Sequence, residues 1–417
     1  MPLVPGAARP PVPDPAVAAL VDGLPPLTAG AAPAVADLLA DRFAPGAAEH
    51  DRRGTLAVDH VAALRAIGWP RLAVPAALGG LGAGLAQAVE AHRRLAAGDA
   101  ATALAVAMHT QTIGAAAAGR WAGDAFARLC GDVVADGAWV NACASEPELG
   151  SPSRGGLPKT TAQRAGDGWR LDGRKTFASL APALDAFIVP AAIAGAAAED
   201  GIGRFLVPRG PGVRVEPTWD PLGMRATGSE DLVLDGVEVP AAALLYRQSA
   251  RAPDPGAADV NTWFTLLLSA VYLGVADGAL RWAARYAGSR VPTALGRPLA
   301  TVEGVQRRLG EAELARRAAG AVLAATARAW DESPDGRAAL GDDVVTAKVF
   351  VTQQARRVVD DAVRVVGGPA MSRRLPIERH WRDVQAGQFH PPSDDQAHGL
   401  LGRRALRAAG VDPDGAA

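Results

Sequence analysis

The sequence predicts an α+β fold in which helical units flank a β-domain, and three observations carry that prediction. Residues from about 32 to 134 hold helical signals almost throughout. Beyond residue 137 the texture changes to short runs separated by Gly, Asp and Pro, among them AWVNACAS, AFIVPAA, RFLVP and DLVLDGVEVP. From about residue 258 the helical signal returns in long stretches. No repeat of fixed period is visible, which excludes solenoids.

Taken in order, the opening MPLVPGAARPPVPDPA is Pro-rich, so residues 1–22 are expected as a flexible tail, with 411–417 as a second one. An N-terminal helical domain follows over 23–134. Within it Val58, Val61, Leu64 and Ile67 fall three apart on one apolar face, and Gly68 and Pro70 end that helix. The Ala-rich stretches 84–99 and 100–119 predict two more helices. The β-domain is expected over 135–250, with Asp167-Gly168 as a hairpin turn. The C-terminal unit, 251–410, predicts helices over 258–290, 301–331, 340–366 and 393–409. In the second of these Val302, Val305, Leu309 and Ala312 form one stripe, while Arg307, Arg308 and Glu311 lie off it.

Composition excludes several functions. The 417 residues carry a net charge of −1, which argues against a nucleic-acid or anionic-membrane binder driven by bulk charge. Almost all basic residues are Arg, with Lys only at Lys159, Lys175 and Lys348. Cys130 and Cys143 cannot build a disulfide framework, and no CxxC spacing occurs. No signal-peptide pattern and no run of transmembrane length are read, so a cytoplasmic protein is expected. The seven histidines show no HExxH or Cys/His pairing, and His390 and His398 lie eight apart, so no metal site is expected. GGLGAG over 79–84 is not GxGxxG and lacks a βαβ setting, which rules out a dinucleotide loop.

The block VRVVGGPAMSRRLPIERHWRDVQAGQFHPPSDDQAHGLLGRR, Val363 to Arg404, resembles without a gap the last two helices of the acyl-CoA dehydrogenase family. AVPAALGGLG (73–82), ASEPELGS (144–151), LDGRKTFAS (171–179) and GMRATGSEDLVLDGVEVP (223–240) resemble further family motifs in the same order. The resemblance implies an N-terminal helical domain, a middle β-barrel and a C-terminal four-helix bundle. It also implies FAD, with FMN as the alternative, and a homo-oligomer, tetramer or dimer. Hydroxyls at Ser145 and Ser151 with backbone N–H groups around Gly150 suit a flavin edge or pyrophosphate. Phe177 and Ser179, two apart on one strand face by alternation, fall where the family sets an aromatic and a hydroxyl against the ring. Arg290 and Arg364 are phosphate candidates, and Gly367-Gly368 fits close backbone approach to the cofactor.

The family's catalytic glutamate falls on Pro391, and its alternative base position, aligned through Gly274 and Tyr286, falls on Phe264. Neither can remove a proton. Asp394 and Asp395 stand nearby, but Ser393-Asp394-Asp395 reads as a helix N-cap with an acidic first turn. His390 resembles the histidine of a His-Asp-Pro motif in flavin monooxygenases of this fold, although Pro391 replaces the motif's Asp. An imidazole there can hold or deliver a proton near neutral pH. His109 and Phe264 are candidate substrate-lining residues, with a satisfied core histidine as the other reading of His109.

The first reading is thus a flavin-dependent monooxygenase using reduced flavin and O₂ on a small, apolar substrate, with a flavin reductase as partner. The second is an acyl-CoA or acyl-carrier-protein dehydrogenase with a non-standard base. The third is an inactive scaffold subunit.

Overall fold

The computed structural model describes residues 14–117, 121, 124–148, 156–197, 201–249, 257–413 and 415. Among the described residues six α-helices come first: α1 (Pro15–Val21), α2 (Ala32–Arg53), α3 (Val58–Ala66), α4 (Leu85–Ala96), α5 (Ala100–Ala116) and α6 (Ala125–Asp136). α1 lies inside the segment expected as a tail. Pro occupies its first turn, the Asp14 carboxylate accepts from Ala16 N–H at 2.9 Å, and Val17 is buried. In α3, Val61 and Leu64 enter the core as the spacing predicts, but Val58 is exposed, because it sits at the helix start. Every residue of α5 is buried, as expected of a helix without a charged face.

The middle of the chain supplies β1 (Val140–Ala142), β2 (Thr161–Ala165), β3 (Gly168–Ala178), β4 (Ala186–Ile193), β5 (Ile202–Pro208), β6 (Val213–Glu216), β7 (Glu230–Val239) and β8 (Leu244–Gln248). They form one mixed sheet in the order β6-β7-β3-β2-β4-β5-β8, with β1 parallel to β4. The β2–β3 hairpin exists, but its two loop residues are Gly166 and Asp167 rather than Asp167 and Gly168. Gly168 pairs with Ala165, and Gly166 takes the positive φ of 54° that the turn requires.

Five more α-helices follow among the described residues: α7 (Ala257–Ser289), α8 (Glu303–Glu332), α9 (Gly341–Val366), α10 (Ile377–Val384) and α11 (Asp394–Ala408). α7 is the axis of the molecule and packs on α4, α5, α8, α9 and α10. Contrary to the sequence expectation, its segment Asn261–Ser289 is long and apolar enough to cross a membrane. Within the fold 89% of its most apolar window is buried, so this apolarity serves the bundle core. Close approach to α4 depends on Gly274, where a Cβ would lie 2.2 Å from the Arg93 carbonyl oxygen. Beside that crossing Arg93 donates to both Asp277 oxygens, at 2.7 and 3.1 Å.

α10 ties the three parts together. Arg382 donates to the Asp51 carboxylate of α2 at 2.6 and 3.0 Å and to the Leu222 carbonyl at 3.0 Å. Asp383 accepts from Met224 N–H at 2.6 Å. Gly223 fits only without a side chain, since its Cβ would meet the Arg382 carbonyl oxygen at 2.3 Å. These contacts hold the segment that leads to His390 against both helices and sheet.

Candidate functional site

The fold brings His390 and Phe264 together and adds a residue that the sequence reading missed. His390 Nε2 lies 2.7 Å from the Tyr272 hydroxyl, and its ring meets Phe264 edge-on with centroids 6.1 Å apart. Phe264 and Tyr272 are eight apart on α7, just over two turns, so both project toward one side. Burial pushes His390 down to about 4, and the nearby Lys348 ammonium adds to that. Burial also raises the Tyr272 phenol well above its usual value. Both groups are therefore neutral at pH 7, so His390, contrary to the sequence expectation, does not titrate near neutrality, and any proton it takes from a reacting group is held only transiently.

Behind them lies Lys348, fully buried, its Nζ donating to Asp394 at 2.9 Å. Gln353 donates to the other Asp394 oxygen at 3.2 Å. Ser393 caps α11 as expected, in a capping box with Gln396. Asp394 is thus engaged by Lys348, and is not a free base beside Pro391. Signals for Tyr272 and Lys348 existed: each is a rare residue type here set within an apolar stretch.

In the β-domain, the loop holding Ser145 is anchored by Glu146. Its carboxylate accepts from Lys175 Nζ at 2.5 Å, Thr160 Oγ1 at 2.6 Å, Lys159 N–H at 2.6 Å and Thr160 N–H at 3.0 Å. Lys175 also donates to the Pro190 carbonyl at 2.7 Å. Burial pushes the Lys175 ammonium down to about 8. Burial alone would raise Glu146, but hydrogen bonds from Lys175 and Thr160 outweigh it and hold the carboxyl below its ordinary range. The Ser145 carbonyl accepts from Thr176 N–H at 2.9 Å, which fixes it beside β3. Gly150 and Ser151 lie outside the described residues.

Simple alternation at Phe177 and Ser179 does not hold, because β3 is irregular between Lys175 and Ala178 and Phe177 takes a φ of 54°. Phe177 is 65% exposed and stands edge-on to Trp219. Ser179 Oγ shares a hydrogen bond with Ser229 Oγ at 2.7 Å, and Ser229 with Thr227 Oγ1 at 2.7 Å. Arg290 is exposed just beyond α7, Arg364 is exposed near the end of α9, and Gly367 caps α9 with a φ of 74°. Apart from the adjoining residues, no heavy atom among the described residues lies within 4 Å of where a Cβ would project from Gly367 or Gly368. Among the described residues no hydrogen bond or ion pair joins this group to Ser145, Phe177 or Ser179.

His109 takes its other reading. It is fully buried, its Nε2 donates to the Pro70 carbonyl at 2.9 Å and its Nδ1 accepts from Val140 N–H at 3.0 Å. Burial pushes it down to about 4. With both nitrogens used inside the core, it has none left for a substrate. A cavity of about 240 Å³ opens elsewhere, between Pro75, Gly84, Gly114, Trp263, Asp331 and Arg337, and His390 does not line it.

Family models of acyl-CoA dehydrogenase match over residues 31–125 (N-terminal domain), 141–237 (middle domain) and 266–394 (C-terminal domain). YdbM from Bacillus subtilis (strain 168), which bears an acyl-CoA dehydrogenase name, is 39% identical over 373 residues, 89% of this chain and 95% of its own. L-evernosamine nitrososynthase from Micromonospora sp. is 33% identical over 385 residues, 86% of each chain. The structure of TdsC from Paenibacillus sp. A11-2 with FMN and indole superposes with a TM-score of 0.82 at 26% identity, covering 90% of this chain and 97% of its own. TdsC is a dibenzothiophene monooxygenase. With its three domains matched in order and a relative spanning nearly its whole length, this chain belongs to the acyl-CoA dehydrogenase family.

Proposed function

We propose that this protein is a flavin-dependent monooxygenase acting on a small, apolar substrate, with His390 as its acid/base residue. The observation that carries the reading is the 2.7 Å contact between His390 and Tyr272, made beside Pro391 and Phe264, the two positions that lack a base. A thioester dehydrogenase needs a carboxylate for the α-proton. The carboxylate nearest in sequence, Asp394, is held by buried Lys348. The nitrososynthase and monooxygenase relatives support oxygen chemistry on this scaffold.

The residues present fit a flavin. Gly367 and Gly368 leave their backbone open to close approach, and exposed Arg364 offers a cation for phosphate. Ser145, Phe177 and Ser179 are candidates for the ring side, and Gly150 and Ser151, which lie outside the described residues, are further candidates from their place in the sequence. FAD is our first choice and FMN the alternative, since the TdsC structure holds FMN. Exposed Arg290, and two residue groups that no hydrogen bond or ion pair joins among the described residues, fit a site completed by a second copy in a homo-oligomer. A reduced flavin, when bound, supplies the electrons that activate O₂. With Nε2 engaged by Tyr272, Nδ1 is the His390 atom left to exchange a proton with substrate. Phe264 gives that substrate an apolar wall, and a separate reductase would deliver the reduced flavin.

The test supplies chemically reduced FMN or FAD, ¹⁸O₂ and indole as a probe substrate, and reads label in the product by mass spectrometry. Label in oxidised indole, lost in His390→Phe while flavin binding persists, supports the proposal. Equal product formation by the variant removes His390 from the chemistry.

A further inference from the structure

The sequence shows no metal-binding motif, yet the fold gathers three ligating side chains outside the group around His390. His50, in the last turn of α2, and Asp59 and His60, in the first turn of α3, bring one donor atom each within 4.8 Å of one another. His60 is 2% exposed and its ring stacks on Phe43 with centroids 4.0 Å apart. Its Nδ1 lies 2.7 Å from the Asp99 carboxylate, which is itself fixed by Thr102 N–H at 3.1 Å and Thr102 Oγ1 at 2.6 Å. A carboxylate accepting from Nδ1–H leaves the lone pair on Nε2, the arrangement by which metal-binding histidines are oriented. Gly46 keeps the approach open, since a Cβ there would stand 3.0 Å from His60 Nε2.

The second observation is an unmet demand. Asp59 Oδ1 is buried and lies 3.2 Å from His50 Nε2, yet the two do not form a hydrogen bond, and His50 Nδ1 has no partner either. Two ligands of a tetrahedral ion bound at about 2.1 Å stand roughly 3.4 Å apart, close to this spacing. Asp59 is 38% exposed, which gives an ion an entry path and lets its carboxylate adjust.

We propose that His50, Asp59 and His60 bind a divalent transition metal of the zinc kind, with Asp99 orienting His60 and solvent completing the shell. Imidazole and carboxylate donors in this number suit such an ion better than calcium or magnesium. The ion would clip the end of α2 to the start of α3. It would thereby steady Asp51, the neighbour of His50, against Arg382.

The test uses the tag-free, full-length chain, stripped with EDTA, dialysed against ZnCl₂ and desalted, with metal read by mass spectrometry. About one Zn²⁺ per chain should be retained, with a rise in Tm of a few degrees. His50→Gln and Asp59→Asn alter partly exposed groups, and each should lower Zn²⁺ affinity at least about tenfold while leaving the circular dichroism unchanged. Retention of no zinc by the wild-type chain, or of as much zinc by both variants as by wild type, would overturn the site.

Discussion

Tyr272 and His390, 118 residues apart in sequence, meet through a 2.7 Å hydrogen bond that joins the middle of α7 to the segment between α10 and α11. Tyr272 is fully buried, so its hydroxyl has no water to turn to, and His390 gains a fixed orientation from it. The ring is further bounded by Phe264. A histidine so held has few rotamers, as a proton-transferring group requires.

Tyr272→Phe should therefore lower product formation about tenfold, short of the 10²–10⁴-fold typical for losing an acid/base group. The fold should survive at a cost of about 1 kcal/mol, because one hydrogen bond goes while the ring stays. Turnover, hydrogen peroxide release and urea denaturation of the variant measure these together. An unchanged rate would show that the hydroxyl does not position His390.

Lys175 and Glu146 are both fully buried, so removing one partner strands a charge. Lys175→Met should cost roughly 3–5 kcal/mol, and adding Glu146→Gln should recover part of that loss. Denaturation of the single and double variants gives the coupling. A double variant no more stable than Lys175→Met would contradict the pair's role.

At Gly274 a Cβ meets backbone oxygen at 2.2 Å, whereas at Gly131 on α6 it meets nothing within 4 Å. Gly274→Ala should destabilise by about 1–3 kcal/mol through overpacking. Gly131→Ala should instead stabilise by up to about 1 kcal/mol through helix propensity. Thermal melts of the two variants should move in opposite directions.

Acid should destabilise the protein well before its carboxylates protonate in bulk. Burial pushes His92, His109 and His390 down to about 4 and His380 to about 3, from 6.5. Each binds a proton more readily in the unfolded chain, so its contribution is complete above pH 6.5 and is lost as the pH falls toward 4. Asp383, raised to about 6 by burial, opposes this, since it takes its proton more readily in the folded chain. Four histidines against one carboxylate leave a net slope on the order of a few kcal/mol per pH unit at its steepest. Denaturation midpoints should rise only slightly from pH 7 to 8, where the depressed Lys175 adds to the tail of the histidine effect, and fall steeply from pH 6.5 to 4.5; a flat profile over the lower range would count against these burials.

Much of this architecture was legible in the sequence. The predicted helices 258–290, 301–331 and 340–366 correspond to α7, α8 and α9 within two residues at each end, because apolar periodicity and Gly or Pro boundaries are local signals. His390 and Phe264 were legible through their places in the family's motifs. What stayed hidden depends on contacts between distant segments. Tyr272 is visible in the sequence only as a rare tyrosine in the apolar α7, and its partner appears only once the segment after α10 brings His390 onto it. Lys175 and Lys348 were visible only as rare lysines, and nothing local told that both are buried against acids. The irregularity that turns Phe177 outward comes from how β3 pairs with β7, which period-two alternation cannot express. His50, Asp59 and His60 likewise form a cluster only once α3 folds back beside the end of α2.

With Pro391 and Phe264 at the two base positions, this member of the family is expected to lack the proton abstraction that thioester dehydrogenation needs. That expectation is tested most directly by loading the chain with oxidised FAD or FMN and mixing it anaerobically with butyryl-, octanoyl- or isovaleryl-CoA. Without a carboxylate at Pro391 or Phe264, the flavin absorbance should persist over minutes, with any bleaching slower by about 10²–10⁴-fold or more than a positioned base allows. Rapid bleaching by any of these thioesters would contradict the account and direct the search to another carboxylate.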